Sequence, residues 1–290
     1  MTRIPLVQVC YVRLGTQKME ENARFATEVL GLQRVPSDNG EALFRSDSFF
    51  HRICLTPGNP GEEIVGLELP DESHLGPAKE ALLAAGFPVR EADADECKRR
   101  FVRAALITED GSGNKIELVT RPAQSGRRYF PSRDAGIVGL QGVSLRSTDL
   151  HRDLSFWTGI FDAKIQDRVG DVTYLKMDGR HHRVTLYPAK RKGILDISLD
   201  VESLDCVMQS HYFLRDRQIK IVHGPGKETA SEQAFLRFEG PEGHIFSYVH
   251  GMRNVGDNIR PRQFSPTPDA LCAWGAECTD IPEFTSEAST

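Results

Sequence analysis

The chain is written twice. Residues 25–33, "FATEVLGLQ", return at 156–164 as "FWTGIFDAK", and "ALFRSDSFFHRICLTP" at 42–57 returns at 173–188 as "TYLKMDGRHHRVTLYP". Both pairs are separated by the same 131 positions, so Asp47 matches Asp178, His51 matches His182 and Pro57 matches Pro188. One spacing sustained without a gap means two copies of a structural unit, which restricts the fold to architectures that duplication can build. The seam lies in the polar, Pro- and Arg-rich "RPAQSGRRYFPSRDAG" at 121–136.

Each half divides again. In the first, "PLVQVCYVRL" alternates as a strand, "QKMEENARFATEVLG" has helical spacing closed by Gly31, and "EALFRSDSFFHRICL" reads as strands around a turn. The order β-α-β-β-β repeats with "IVGLELP", "ESHLGPAKEALLAAG", "FPVREA", "FVRAALITED" and "NKIELVT". The second half follows suit with "GLQGVSLRS", "LHRDLSFWTGIF", "ILDISLDVE" and "LDCVMQSHYFLRDR". The expected fold is therefore α+β, four βαβββ modules paired into two barrels, with one amphipathic helix covering each module's sheet. The expected boundaries are 1–122 for an N-terminal domain, 137–252 for a C-terminal domain holding the pocket, and 253–290 for a tail.

Alternation indicates which face does what. In "LDISLDV", Leu195, Ile197, Leu199 and Val201 share one face and Asp196, Ser198 and Asp200 the other. "QGVSLRS" has the same phase, so Gly142 and Asp196 are expected to open into one polar trough.

Bulk properties exclude several classes. A net charge of −5, with Lys and Arg scattered among acids, gives no basic field for a phosphate backbone, so no nucleic-acid partner is expected. No apolar run approaches the ~20 residues of a spanning helix, which argues against a membrane protein. "MTRIPLVQVCYVRLG" lacks the features of a signal peptide, so the cytoplasm is the expected location. The six cysteines contain no C-x-x-C pair and are expected to be reduced packing thiols, with Cys272 and Cys278 in the tail the two to watch.

With four such modules, and with "GRHHRVTL", "GPGKETASEQAFLRFEGPEGHIFSY" and the tail "RPRQFSPTPDALCAWG", the chain resembles the two-domain extradiol ring-cleavage dioxygenases of the vicinal oxygen chelate superfamily, which cleave catechols and dihydroxybiphenyls. The resemblance covers nearly the whole chain. It implies a mononuclear ferrous ion in the second domain, held by a histidine early in the third module, a histidine opening the fourth and a glutamate on the last strand. Carried across, those positions are Gly142 in "LQGVSL", Asp196 in "ILDISL" and Ser247 in "GPEGHIFSY", none of them the implied ligand. The family's acid-base histidine and substrate-orienting tyrosine fall on Glu228 in "GPGKE" and Arg237 in "FLRFEGPEG", and His182 in "GRHHRV" is what remains of its polar ring. In the first domain Gln8 and Glu117 stand at the corresponding first-strand and last-strand positions, with Ile64 at the third. Glyoxalase-like members use Gln and Glu as ligands, but two donors are too few, and Glu117 is expected to be a salt-bridging strand residue.

Ferrous iron in such a site needs three good donors fixed in space; glycine offers none and serine is a poor neutral one. The sequence therefore leads to an expectation of no metal and no cofactor, with an aromatic small molecule bound by organic side chains. His182 would be the acid-base group with Asp196 or Glu228 as its partner, and Arg237, Ser247 and Gly142 would contact the substrate. Two plainer readings stand beside this: a buried Arg237–Glu228 ion pair, and a hydrogen-bonded His182 matching His51. His181, His223, His244 and His250 read as surface or packing residues. Three functions remain: metal-independent lyase, isomerase or hydrolase chemistry on an aromatic compound; an active extradiol catechol or dihydroxybiphenyl dioxygenase as runner-up; and non-catalytic sequestration of the bleomycin-resistance type. The resemblance, and a tail carrying Trp274, imply a homo-oligomer.

Overall fold

The alternating N-terminal segment forms a strand over Gln8–Thr16 (β1), and the helical spacing after it forms a helix over Met19–Arg24 (α1) that widens into a π-helical turn at Phe25–Val29. The computed structural model describes residues 3–37, 40–256 and 260–285. Gly31, at a φ of 78° that favours glycine, turns the chain into Gln33–Val35 (β2), Ala42–Arg45 (β3) and Ile53–Pro57 (β4). The second module runs through Glu63–Glu68 (β5), Leu75–Ala84 (α2), Val89–Glu91 (β6), Ala104–Glu109 (β7) and Lys115–Thr120 (β8). It also contains a helix that alternation did not reveal, Ala94–Arg100 (α3), whose start is fixed by a capping box between Asp93 and Glu96.

The third module is Ile137–Ser147 (β9), Leu150–Leu154 (α4) with a π-helical turn at Ser155–Ile160, Lys164–Val169 (β10), Val172–Lys176 (β11) and Val184–Pro188 (β12). The fourth is Gly193–Val201 (β13), Leu204–Asp216 (α5), Ile221–Lys227 (β14), Ala234–Glu239 (β15) and Ile245–His250 (β16). The tail adds a strand, Arg262–Phe264 (β17), and a short helix, Pro268–Leu271 (α6).

The strands form two mixed sheets, ordered β2-β3-β4-β1-β5-β8-β7-β6 and β14-β15-β16-β13-β9-β12-β11-β10-β17. In each, two modules meet edge to edge through an antiparallel pair of their first strands, β1 with β5 and β13 with β9. The duplication extends to side chains. Arg52 Nε donates to Asp47 at 2.7 Å and its Nη1 to the Cys10 carbonyl at 2.8 Å; Arg183 Nε donates to Asp178 at 2.8 Å and its Nη1 to the Gln141 carbonyl at 2.8 Å.

Backbone contacts divide the chain into two compact units, residues 1–133 with 149–164, and 134–148 with 165–290, so the helix of the third module counts with the first unit. In the second unit a bulge between Ile194 and Asp196 breaks the expected alternation, and Leu195 packs in a cluster with Tyr174, Tyr187, Ile245 and Phe284. All six cysteines are free and five are buried; burial pushes the Cys10 and Cys54 thiols up to about 12, as inert packing groups. No helix among the described residues is long and apolar enough to cross a membrane.

Candidate active site in the second unit

Register aligns one row of residues across five strands of the second sheet. His223 on β14 pairs with Arg237 on β15, Arg237 with Ser247 on β16, Ser247 with Ser198 on β13, and Ser198 with Gly142 on β9. In-register neighbours share a face, so this row lies on one face of the sheet. Asp196 lies two residues before Ser198 on the same face, and its Oδ2 accepts from Ser198 Oγ at 2.8 Å and Ser247 Oγ at 2.9 Å. Its Oδ1 is buried and has no hydrogen-bond partner. Burial raises the Asp196 pKa, against the lowering effects of Arg237, Ser198 and Ser247.

Arg237 is held at three points. Nη2 donates to Glu228 Oε1 at 2.8 Å, Nη1 faces His223 Nδ1 at 3.1 Å, and the guanidinium lies over Phe235 at 4.1 Å and Phe284 at 4.4 Å. Its Nε is buried without a partner. Burial opposes the charge, but Tyr187, Glu228 and Asp196 around it outweigh this and keep it a cation. Glu228 Oε2 accepts from Ser231 Oγ at 2.6 Å. The buried ion pair, one of the two arrangements open from sequence, is what the side chains form.

His223 lies at 3.0 Å from the Ala276 carbonyl through Nε2, which leaves Nδ1 to accept from Arg237. Burial and then the charge of Arg237 push its pKa down to about 4. Tyr174 and Tyr187 are hydrogen-bonded to each other, and burial raises both phenols, so they stay neutral.

His182 is not where the expected dyad requires it. Its Nδ1 lies 3.0 Å from Nδ1 of His181, whose Nε2 lies 2.7 Å from Asp167 Oδ2, and neither Asp196 nor Glu228 hydrogen-bonds to it. The two histidines fall in a bend before β12, where neighbouring side chains need not point to opposite faces. His181, expected at the surface or in simple packing, is fully buried, and His223, expected there too, belongs to the Arg237 network. The His182 pKa is driven well below the ordinary value by burial and then by His181, Arg183 and Arg237.

The tail covers one end of this network. Phe284 packs edge-on against Tyr187 at 5.4 Å, and Glu283 pairs with Arg146 of β9 at 2.6 Å. An open pocket of about 400 Å³ is lined by His223 and by the tail residues Leu271, Cys278 and Phe284 among others.

The first unit fills the corresponding place differently. The residue matching Gly142 by the 131-position spacing is Tyr11, not Gln8: Tyr11 Oη donates to Glu117 Oε2 at 2.5 Å, and Arg100 Nη2 to Oε1 at 2.6 Å. Gln8 donates to Glu68 at 2.7 Å, and Glu117 is salt-bridged to Arg100, as expected for a structural strand residue.

A family model described as Glyoxalase/Bleomycin resistance protein/Dioxygenase superfamily matches residues 139–248. Other similarities are to proteins named as dioxygenases. A model described as Dihydroxybiphenyl dioxygenase BphC D1 matches residues 9–58. The 3-methylcatechol 2,3-dioxygenase of Pseudomonas putida is 26% identical over 87% of this chain and 90% of that protein, and an iron-dependent extradiol dioxygenase of Rhodococcus jostii is 26% identical over 69% and 74%. An extradiol ring-cleaving dioxygenase from B. fuscum superposes with a TM-score of 0.87 over 97% of this chain and 82% of that chain, at 15% identity. The Mn(II)-bound glyoxalase from Novosphingobium aromaticivorans gives 0.86 over 98% and 95%, at 22% identity, and both likenesses establish the fold.

A fold family with iron-dependent members directs attention to the three positions that the resemblance assigns to a metal. Gly142 has no donor, and a Cβ there would stand 2.2 Å from the Arg183 carbonyl oxygen. Ser247 Oγ is committed within the hydroxyl cluster, and Asp196 is a single carboxylate. Among the described residues no three His, Cys, Asp or Glu side chains converge as a metal set. This donor set does not fit ferrous iron.

Proposed function

We infer that this chain is an enzyme of the extradiol-dioxygenase type that acts on an aromatic compound with two adjacent oxygens, bound in the trough of the second unit. The observation that carries the reading is a pair of unpartnered atoms, Asp196 Oδ1 and Arg237 Nε, on residues 1% and 4% exposed. One is an acceptor and the other a donor, and each costs about 1–3 kcal/mol while unsatisfied in the interior. A ligand that donates through one oxygen and accepts through its neighbour recovers both, with Tyr174, Tyr187 and Phe284 to hold its ring. A catechol has that pattern.

The relatives' names favour ring cleavage, the runner-up of the sequence reading. Metal-independent lyase, isomerase or hydrolase chemistry gains nothing from them and rests on the donor set alone. In either case His182 is the candidate acid-base group and Arg237 steadies negative charge on the bound oxygen, while Glu228 and Ser247 hold Arg237 and Asp196 in place. Gly142 contributes backbone only.

Iron analysis of anaerobically purified protein, followed by oxygen uptake with 2,3-dihydroxybiphenyl, separates the readings. One iron per chain with ring cleavage supports the dioxygenase and sinks metal independence. Iron-free protein that binds the diol without oxygen uptake supports the second reading; loss of turnover with binding retained in His182→Ala then distinguishes an enzyme from a sequestering protein. Failure of the intact protein to bind any catechol in calorimetry overturns the assignment of the trough. Homo-oligomer formation is part of the same proposal and is checked by light scattering.

A further inference from the structure

Two histidines in sequence, one of them sealed from solvent, lead from a clamped carboxylate to the trough. Asp167 Oδ2 contacts His181 Nε2 at 2.7 Å, and His181 Nδ1 contacts His182 Nδ1 at 3.0 Å. Two Nδ1 atoms at that distance share one proton, so one ring donates and the other accepts. Charge balance decides which. Asp167 also receives Arg262 Nη2 at 2.6 Å, the Arg262 backbone N–H at 2.8 Å and Arg253 Nη2 at 3.2 Å, so two guanidiniums already face one carboxylate. Burial alone would raise the Asp167 pKa, but hydrogen bonds from His181 and Arg262 hold it at about 2, so it stays an acceptor. A protonated His181 would be a third cation on this one carboxylate. His181 is therefore neutral, with its proton on Nε2 toward Asp167 and a lone pair on Nδ1 toward His182. His182 must then carry its own proton on Nδ1.

We propose that Asp167 and His181 are positioning residues that fix the tautomer of His182, leaving its Nε2 as an unprotonated acceptor for the ligand of the second-unit trough. No described residue hydrogen-bonds to that nitrogen. The groups around His182 are His181 on its own segment, Arg183, Arg237 of β15, Asp167 of β10 and the Tyr174 ring of β11 at 5.0 Å. The duplication supplies an internal control. At 131 positions earlier, His51 has Phe50 in place of His181 and Pro36 in place of Asp167, and His51 Nε2 is buried without a partner. The histidine is present in both halves, whereas its relay exists in the half that holds the trough.

The inference rests on the reading of that trough as the ligand site, and its first test does not need turnover. Two-bond ¹H–¹⁵N correlation spectra of the full-length, ¹⁵N-histidine-labelled protein, assigned with His182→Ala, should show a pyrrole-type Nδ1 and a pyridine-type Nε2 for residue 182. His181→Gln offers a donor to Asp167 and an acceptor to His182, and should preserve that signature. His181→Phe, the residue of the first half, should leave both tautomers in comparable amounts and lower kcat with 2,3-dihydroxybiphenyl about 10²-fold at little-changed KM. An Nε2–H signature in the parent, or an unchanged spectrum in His181→Phe, overturns the relay; should His181→Phe not fold, the parent spectrum and His181→Gln decide. The expected spectra without turnover leave the relay standing and count against the functional reading alone.

Discussion

Replacing Arg237 by Met should cost the second unit about 3–5 kcal/mol, because it leaves a buried charge without its partner. The Arg237–Glu228 separation is 2.8 Å, with side chains 5% and 4% exposed. At an effective dielectric near 20, two charges that close attract by about 6 kcal/mol, and the loss of hydration of two ions offsets most of this. The intact pair is thus worth little net, whereas either single substitution removes the attraction and keeps one desolvation cost. Met preserves the apolar packing against Phe235 and Phe284, so the loss in Arg237→Met is electrostatic. Glu228→Gln should fall in the same range, and the double variant should return to within about 1–2 kcal/mol of the parent. Urea unfolding followed by circular dichroism measures this, with m unchanged between variants and the midpoint displaced by about 1–3 M. Single losses below about 1 kcal/mol that simply add in the double variant would refute the reasoning, since they would mean that the pair is hydrated.

Other outcomes follow from separate features. Burial, and then the charge of Asp153, raise Asp110 to about 7 against hydrogen bonds from Asn114 and Ser112; the folded state therefore holds the extra proton, and this contribution to stability is complete below about pH 4 and lost as pH rises to about 7. Asp110→Asn should accordingly be more stable than the parent at pH 8 and not at pH 4, by urea midpoints at the two values. Gly142→Ala forces its Cβ against the Arg183 carbonyl and should cost at least about 1–3 kcal/mol in the same assay. Ser247→Glu places a second carboxylate beside Asp196 without adding a histidine, and inductively coupled plasma analysis should find no more iron than in the parent. Phe284→Ala loses about 3 kcal/mol of tail packing, so limited proteolysis within 276–285 should accelerate by about a hundred-fold while the far-ultraviolet spectrum is unchanged.

The architecture was legible because duplication imprints itself on spacing. Asp47–Arg52 and Asp178–Arg183 make the same brace, and the strand and helix order of all four modules can be read from periodicity. Helix α3 escaped, although Asp93 and Glu96 stood at capping-box spacing before it. The site was half legible. The polar positions of β13 and β16 were visible, but which atoms meet depends on register and bulges, and neither is written in local sequence. Gln8 was put at the first-strand position of the first domain, while the 131-position spacing already marked Tyr11 as the counterpart of Gly142. His181 was hidden for a different reason: adjacent residues in a strand face opposite ways, and only a bend lets both rings of "HH" serve one network. The closure of the trough by Phe284 joins residues far apart in sequence, and no periodicity signals it.

The two units fill the middle of their sheets differently. In the first, Tyr11 crosses over Gly66, where a Cβ would stand 2.6 Å from the phenol ring, and donates to Glu117, itself clasped by Arg100. Ring, carboxylate and guanidinium fill the middle of that sheet and satisfy one another. At the matching positions the second unit has Gly142 for Tyr11, Ser198 for Gly66 and Ser247 for Glu117, a loss of one aromatic ring and one carboxylate against the gain of two hydroxyls. Arg237 stands on the neighbouring strand where the first unit has Ile107, so each unit holds one guanidinium here, Arg100 in the first and Arg237 in the second. In the second unit Asp196 Oδ1 and Arg237 Nε are left buried without partners, and each is unfavourable alone. A ligand that bonds both polar atoms removes both costs together, which is why the second unit is the place to test for binding.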